Sequence, residues 1–302
     1  MEIPMGIAVV CRSRGRIEAL GHVVQLLAAY VDTSPHWTLQ RAVERGFVFL
    51  VRCLLRVDCS IFLARMATIR RAIRAAADGG YVQTLATLAD RYPQAVLDEI
   101  AVKRAATNGH LALLQWMHER VPAVETLRKV LYSSDTIALA AGEGHLETVK
   151  WLVDARGGEC SAAPLHQAAR CGQLQVVQWL YDHSGCIILP RAMDEAAACG
   201  HLRVVQFLHE RKSKCTTMAM VGAAVNGHLE VVKWLHEHRD EGCTAYAMDG
   251  AASRGHLEVV QWLHENRSEG CSVQAMNGAA RDGHLHVAAP ELPWTALQQM
   301  DT

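Results

Sequence analysis

The chain has 302 residues, half of them hydrophobic and a fifth charged, which is ample apolar material for a core. Its net charge is −1 at pH 7, so the chain as a whole offers no electrostatic case for nucleic acid. The best apolar run, Phe47 to Met66, is broken by Arg52, Arg56, Asp58 and Arg65, so membrane insertion is not expected.

At the start of the chain, residues 1–74 carry eleven Arg, no Lys and five acids, a basic end on an acidic body. This charge reads as the solvated face of divergent end repeats. The short apolar run Gly6 to Val10 is followed, not preceded, by basic residues, the wrong order for a secretory signal. An intracellular protein, cytoplasmic or nuclear, is therefore expected. Residues 1–34 read as a divergent segment or degenerate capping repeat.

From there a segment near Gly-His-Leu-Glu-Val-Val-x-Trp-Leu-His recurs. Weak versions surround Gly46 (Thr38 to Leu54) and Gly80 (Ala72 to Leu88). Clearer ones place the glycine at Gly109, Gly144, Gly172, Gly200, Gly227, Gly255 and Gly283, and the last five intervals are 28, 28, 27, 28 and 28 residues. A fixed period of this length is the mark of stacked repeats. The interval from Gly109 to Gly144 is 35, so Val121 to Ser134 should hold a longer helix or loop, with Pro122 marking a break.

The unit from Cys243 to Gly270 shows the local logic. Thr244 stands where a hydroxyl can accept from a free amide at a helix start. A first helix over Ala245 to Ser253 is rich in small residues, and Gly255 ends it by taking a left-handed conformation. A second helix runs from about Leu257 to Asn266. Leu257, Val260 and Leu263 form its apolar stripe, widened by Val259 and Trp262, and Glu258 suits the positive end of the dipole. Each pair has an apolar side that only a stacked neighbour can cover. After Gly283-His284-Leu285 the pattern stops, and residues 286–302, with Pro290 and Pro293, read as a truncated repeat or disordered tail.

These residues resemble the ankyrin repeat. Ala163-Pro164-Leu165-His166-Gln167-Ala168-Ala169 is similar to that family's Thr-Pro-Leu-His-x-Ala-Ala opening, and Gly172-Gln173-Leu174-Gln175-Val176-Val177-Gln178-Trp179-Leu180 to its second helix. The resemblance spans residues 35–285 and implies an all-α solenoid of stacked helix-turn-helix repeats, about eight to nine units, with degenerate ends. Ankyrin units run ~33 residues. The deficit falls between one second helix and the next first helix, about Arg239 to Tyr246, so the projecting β-hairpin fingers should shrink to tight turns.

The period also absorbs residues that would otherwise suggest chemistry. Cys160, Cys186, Cys215, Cys243 and Cys271 share one position, and Cys171 and Cys199 another. Neighbouring repeats lie ~8–10 Å apart, beyond disulfide reach, so buried free thiols are expected. Ten of the sixteen histidines occupy two repeat positions, too far apart for one zinc ion and suited to bonding turn backbone. The column Trp116, Trp151, Trp179, Phe207, Trp234 and Trp262 reads as packing between repeats, as does Met193, Met220, Met248 and Met276. No phosphate loop, nucleophile elbow or metal-helix motif is present, so no catalytic, cofactor or metal site is expected.

Positions that vary within the repeat mark where packing is indifferent. One such column holds Asp194, Val221, Asp249 and Asn277; the other, just before the turn glycine, includes Glu143, Cys199, Asn226, Arg254 and Asp282. The resemblance places both columns on or near the concave face. The expectation is a non-enzymatic scaffold contacting a partner protein of unknown identity through Asp194, Val221, Asp249, Asn277, Glu143, Asn226, Arg254 and Asp282. The alternative is a substrate-recruiting adaptor, for example of a ubiquitin ligase, with residues 1–34 as its second contact.

Overall fold

The computed structural model describes residues 39–56, 62–92, 99–120, 129–158, 161–183 and 189–284. Seventeen helices are defined there, with no strand among the described residues. The chain divides into two compact units, one ending at Leu131 and one beginning at Tyr132. That division lies within the lengthened Gly109-to-Gly144 interval. Residues 1–34, 121–128 and 285–302 are outside the described set, so the expectations for both chain ends and for Pro122 are not addressed.

In the first unit the helices are α1 (Leu39–Glu44), α2 (Val48–Arg56), α3 (Phe62–Asp78), α4 (Val82–Arg91), α5 (Glu99–Thr107) and α6 (Leu111–Arg120). The pairs α1/α2, α3/α4 and α5/α6 are hinged at Gly46, Gly80 and Gly109, each with positive φ. First helices pack on first helices: α3 contacts both α1 and α5.

The second unit continues with α7 (Ser134–Gly142), α8 (Leu146–Ala155), α9 (Ala162–Arg170), α10 (Leu174–His183), α11 (Arg191–Ala198), α12 (Leu202–Glu210), α13 (Thr217–Val225), α14 (Leu229–His238), α15 (Ala245–Ser253), α16 (Leu257–Asn266) and α17 (Val273–Arg281). The odd-numbered helices stack into one layer and the even-numbered ones into another. The expected bounds for Ala245–Ser253 and Leu257–Asn266 are those observed.

The reason for this regularity is visible at Gly200. Its N–H bonds the Ala197 carbonyl at 3.0 Å, and the His201 N–H bonds Ala196 at 2.9 Å. This closes α11 with two reverse bonds that require a left-handed residue, here at φ 80°. Leu202 then starts α12 at once. Within the pair, Ala192, Met193, Ala196 and Ala197 face Val204, Val205 and Leu208, all buried. Small residues on the first helix let neighbours approach closely. A Cβ on Gly222 would stand 2.6 Å from that of Ala198, so α13 needs glycine there to lie on α11.

In the links that fall wholly among the described residues, 211–216, 239–244 and 267–272, no finger projects, as the spacing implied. Only Arg239 to Thr244 separates α14 from α15. Arg239 donates from Nε to Glu241 at 3.1 Å and pairs with it through a second nitrogen, so a guanidinium fork braces the turn.

Candidate partner-binding face

Three kinds of staple join successive repeats, and together they determine which side chains remain available. The first lies at the turns. In five of the turns the residue after the turn glycine reaches back to the carbonyl two places before the preceding turn glycine. His110 donates from Nε2 to the Asp78 carbonyl at 2.8 Å, and Gln173 donates to Gly142 at 3.1 Å. Tyr81 does the same to Glu44 at 3.3 Å. His228 and His256 bond the Ala198 and Val225 carbonyls, and burial holds both imidazoles below the usual histidine range, favouring the neutral N–H donor. The rings of His201, His228, His256 and His284 lie flat against Gly172, Gly200, Gly227 and Gly255, leaving no room for a Cβ.

The second staple joins the even-numbered helices. His209 meets Trp234 edge-on at 5.2 Å, His236 meets Trp262 likewise at 5.2 Å, and Tyr181 meets Phe207 at 5.8 Å. Arg239 and Arg267 then donate to His209 and His236 at 3.4 and 3.3 Å. The same guanidinium groups lie beside the thiols of Cys215 and Cys243. Burial pushes Cys215 up to about 11 and raises Cys243, so neither is a reactive thiolate. Phe207, Trp234 and Trp262 pack between repeats, as expected, whereas Trp179 stacks on His183 and Trp116 lies under Arg120 of its own helix.

Arg267 also fixes an acid-sensitive contact. It donates from Nε to Glu269 at 3.1 Å and holds that carboxylate below its ordinary range, outweighing partial desolvation. A carboxylate with a lowered folded-state pKa adds stability that is complete above its unfolded value and lost as pH falls through the folded value. Glu269→Gln should therefore cost about 1 kcal/mol near pH 7, a figure already reduced for solvent screening. The gap to wild type should close in acid. Urea titrations of both proteins across this range check it, and a gap that stays constant with pH would count against the clip.

The third staple is a latch at the start of the odd-numbered helices, and it corrects the expectation for the first candidate column. Asp194 on α11 accepts from the N–H and the hydroxyl of Thr216, both at 2.8 Å. Asp249 on α15 accepts from the N–H and hydroxyl of Ser272 at 2.7 and 2.6 Å. Each hydroxyl in turn caps its own helix, Thr216 accepting from Met218 and Ser272 from Gln274, both at 3.1 Å. Asp249 is only 8% exposed and Val221 2%, so neither offers surface to a partner. Asp194 is half-buried and committed to Thr216; desolvation raises its carboxyl despite those bonds. Asn277 alone in this column is exposed. Thr244, facing Val221 where an aspartate would be, makes no side-chain cap bond, contrary to expectation. With no carboxylate to take its proton, its hydroxyl is not oriented toward the amide.

The second column fares differently. Glu143, Asn226, Arg254 and Asp282 are all exposed at the turns. Three of them are also linked to neighbouring repeats. Asn226 donates to the Ala198 carbonyl at 2.7 Å, Arg254 donates to the Asn226 side chain, and Asp282 accepts from Ser253 at 3.0 Å. Cys171 and Cys199 are exposed here, not buried as expected, because the residue before the turn glycine points away from both helix layers. All five cysteines whose state is described are free thiols.

Sequence reasoning missed a set of apolar side chains. Leu189, Met218, Tyr246 and Val273 stand at the starts of α11, α13, α15 and α17, exposed by 45, 54, 62 and 63%. The signal was present: in α13 the core takes Ala219, Met220, Ala223 and Ala224, which leaves Met218 outside the buried stripe. Among the described residues no group of three or more His, Cys, Asp or Glu could hold a metal ion, and no helix is long and apolar enough to cross a membrane.

The family model for ankyrin repeats, three copies, matches residues 101–191 and 193–289, more than half of the chain. Among solved structures, the human ASB11 ankyrin repeat domain is similar at 18% identity, with a TM-score of 0.46, covering 64% of this chain and 93% of that one. No curated protein matches the chain.

Proposed function

The chain belongs to the ankyrin-repeat family, whose members are generally protein-interaction modules, and from that premise we propose a non-enzymatic scaffold. It holds a partner protein on the concave face formed by its first helices and inter-helix turns. The observation that carries this choice of face is the set of exposed apolar side chains Leu189, Met218, Tyr246 and Val273 at the starts of four successive first helices. Covering a Met or Tyr side chain with a partner is worth roughly 1.5–3 kcal/mol. The helices beneath are braced at every junction, so little ordering cost is subtracted on binding. Arg254, Asn226 and Asp282, exposed at the turns, supply the polar margin.

Affinity purification with the full chain, followed by the Met218→Ser/Tyr246→Ser double variant, tests the face. The expected result is a loss of about tenfold or more in partner affinity, equivalent to one lost anchor, with the thermal midpoint unchanged because neither side chain is in the core. Retained capture by the double variant would reject the face. Asp194 and Asp249 are unsuitable test positions, since changing them unlatches the array.

A further inference from the structure

In the first unit, arginines gather on one side of the first helices. On α3 the buried stripe is Ile69, Ala72, Ile73, Ala76 and Ala77. The opposite side carries Arg70 and Arg71, both exposed, and the half-buried Arg74 one turn on, at the i+4 and i+3 spacings that bring side chains together. Arg71 stands nine places before its turn glycine, Gly80, as Met218 stands before Gly227 and Tyr246 before Gly255. The position that is exposed and apolar on α13 and α15 is thus cationic on α3. The neighbouring repeats add Arg41 on α1, Arg45 in the turn after it, and Arg104 on α5, all exposed. The carboxylates of α1 and α3 are already engaged: Glu44 accepts from Gln40 at 2.8 Å, and Asp78 accepts from Arg104. Among the described residues no carboxylate pairs with Arg45, Arg70 or Arg71.

We propose that this face binds an acidic segment of a partner protein. The cations named are all arginines, whose planar fork takes a carboxylate in two parallel hydrogen bonds. Three first helices packed ~8–10 Å apart present a face about 20 Å wide. An extended segment of about six residues, at ~3.3 Å per residue, crosses it. Nucleic acid fits less well. Bases stack on aromatic rings, and α1, α5 and residues 67–78 of α3 carry none. The chain's net charge of −1 supplies no long-range pull on a polyanion either. This surface does not depend on the apolar set in the second unit, so either can fail without the other.

The probe is a fluorescent oligoglutamate titrated into the full chain at low salt, with a thymidine oligonucleotide of equal charge beside it. The peptide should bind more tightly than the oligonucleotide, and should be released as salt shortens the screening length from ~10 Å at 0.1 M to ~3 Å at 1 M. Arg70→Gln/Arg71→Gln should weaken the peptide about fivefold or more, the loss of two exposed ion pairs. Arg203→Gln/Lys214→Gln removes the same charge from exposed positions of the second unit and should leave the peptide's affinity unchanged. Absent or salt-independent peptide binding would overturn the proposal, as would tighter capture of the oligonucleotide. So would an unmoved affinity in the Arg70/Arg71 variant, or an equal loss in both variants. Both arginines are exposed, so that variant should keep the wild-type thermal midpoint. If it does not fold, Arg45→Gln decides: it should weaken the peptide about twofold, and an unmoved affinity overturns the proposal.

Discussion

Gly200→Ala should destabilise the protein by about 2–4 kcal/mol, far more than its single added methyl group suggests. Two effects add. The residue sits at φ +80°, where a side chain costs ~1–2 kcal/mol. The new Cβ would also stand 2.6 Å from Nδ1 of His228. The ring must swing away and give up its bond to the Ala198 carbonyl, a loss of ~1–2 kcal/mol for a half-buried group. Gly270→Ala separates the two effects, because Gly270 has φ +68° with nothing within 4 Å of the added carbon. That variant should show the backbone cost alone. Denaturant unfolding of both, and of Gly200→Ala in a His228→Ala background, completes the test. If Gly200→Ala costs no more than Gly270→Ala, the histidine does not act as a staple.

The turn staple explains why so much of the fold was legible. Gly-His-Leu combines a left-handed helix stop, a ring that needs the preceding glycine bare, and the first core residue of the next helix. Those constraints act within one short segment, so they appear as a motif. The shortened loops were legible for a similar reason: Arg239 and Glu241, like Arg267 and Glu269, are two residues apart and brace their own turn. The latch was hidden because its halves lie in different columns. Asp194 needs Thr216 and Asp249 needs Ser272, more than twenty residues onward. Seen down its own column, Asp194, Val221, Asp249 and Asn277 resemble unconstrained surface. The pairing rule emerges only when the next repeat's cap is laid against them. Cys171 and Cys199 were misplaced for a related reason: small apolar residues suggest burial, but the position before the turn glycine projects outward whatever occupies it. Met218 and Tyr246 were passed over because an apolar residue beside a buried stripe is easily counted into it.

If each repeat is stabilised mainly by its neighbours, equal chemical damage should have different consequences along the array. Leu180 on α10 and Leu263 on α16 occupy the same repeat position, and both are essentially fully buried. Truncating either to alanine removes the same atoms and should cost about 2.7–5 kcal/mol, depending on how far the site collapses. Their surroundings differ. The helix α10 packs against both α8 and α12, whereas α16 has α14 as its second-helix neighbour among the described residues. Leu180→Ala should therefore weaken two junctions at once. It should raise amide exchange in α8 and α12 as well as in α10, and broaden the unfolding transition as the array separates into parts. Leu263→Ala should spread chiefly toward α14 and leave α8 protected. Exchange confined to the mutated helix in both variants would mean that each repeat is stable by itself. Loss of protection throughout the unit in both would mean that it unfolds as a single block. The stacked architecture requires the intermediate result, because the apolar side of each helix pair is covered only by the repeats next to it.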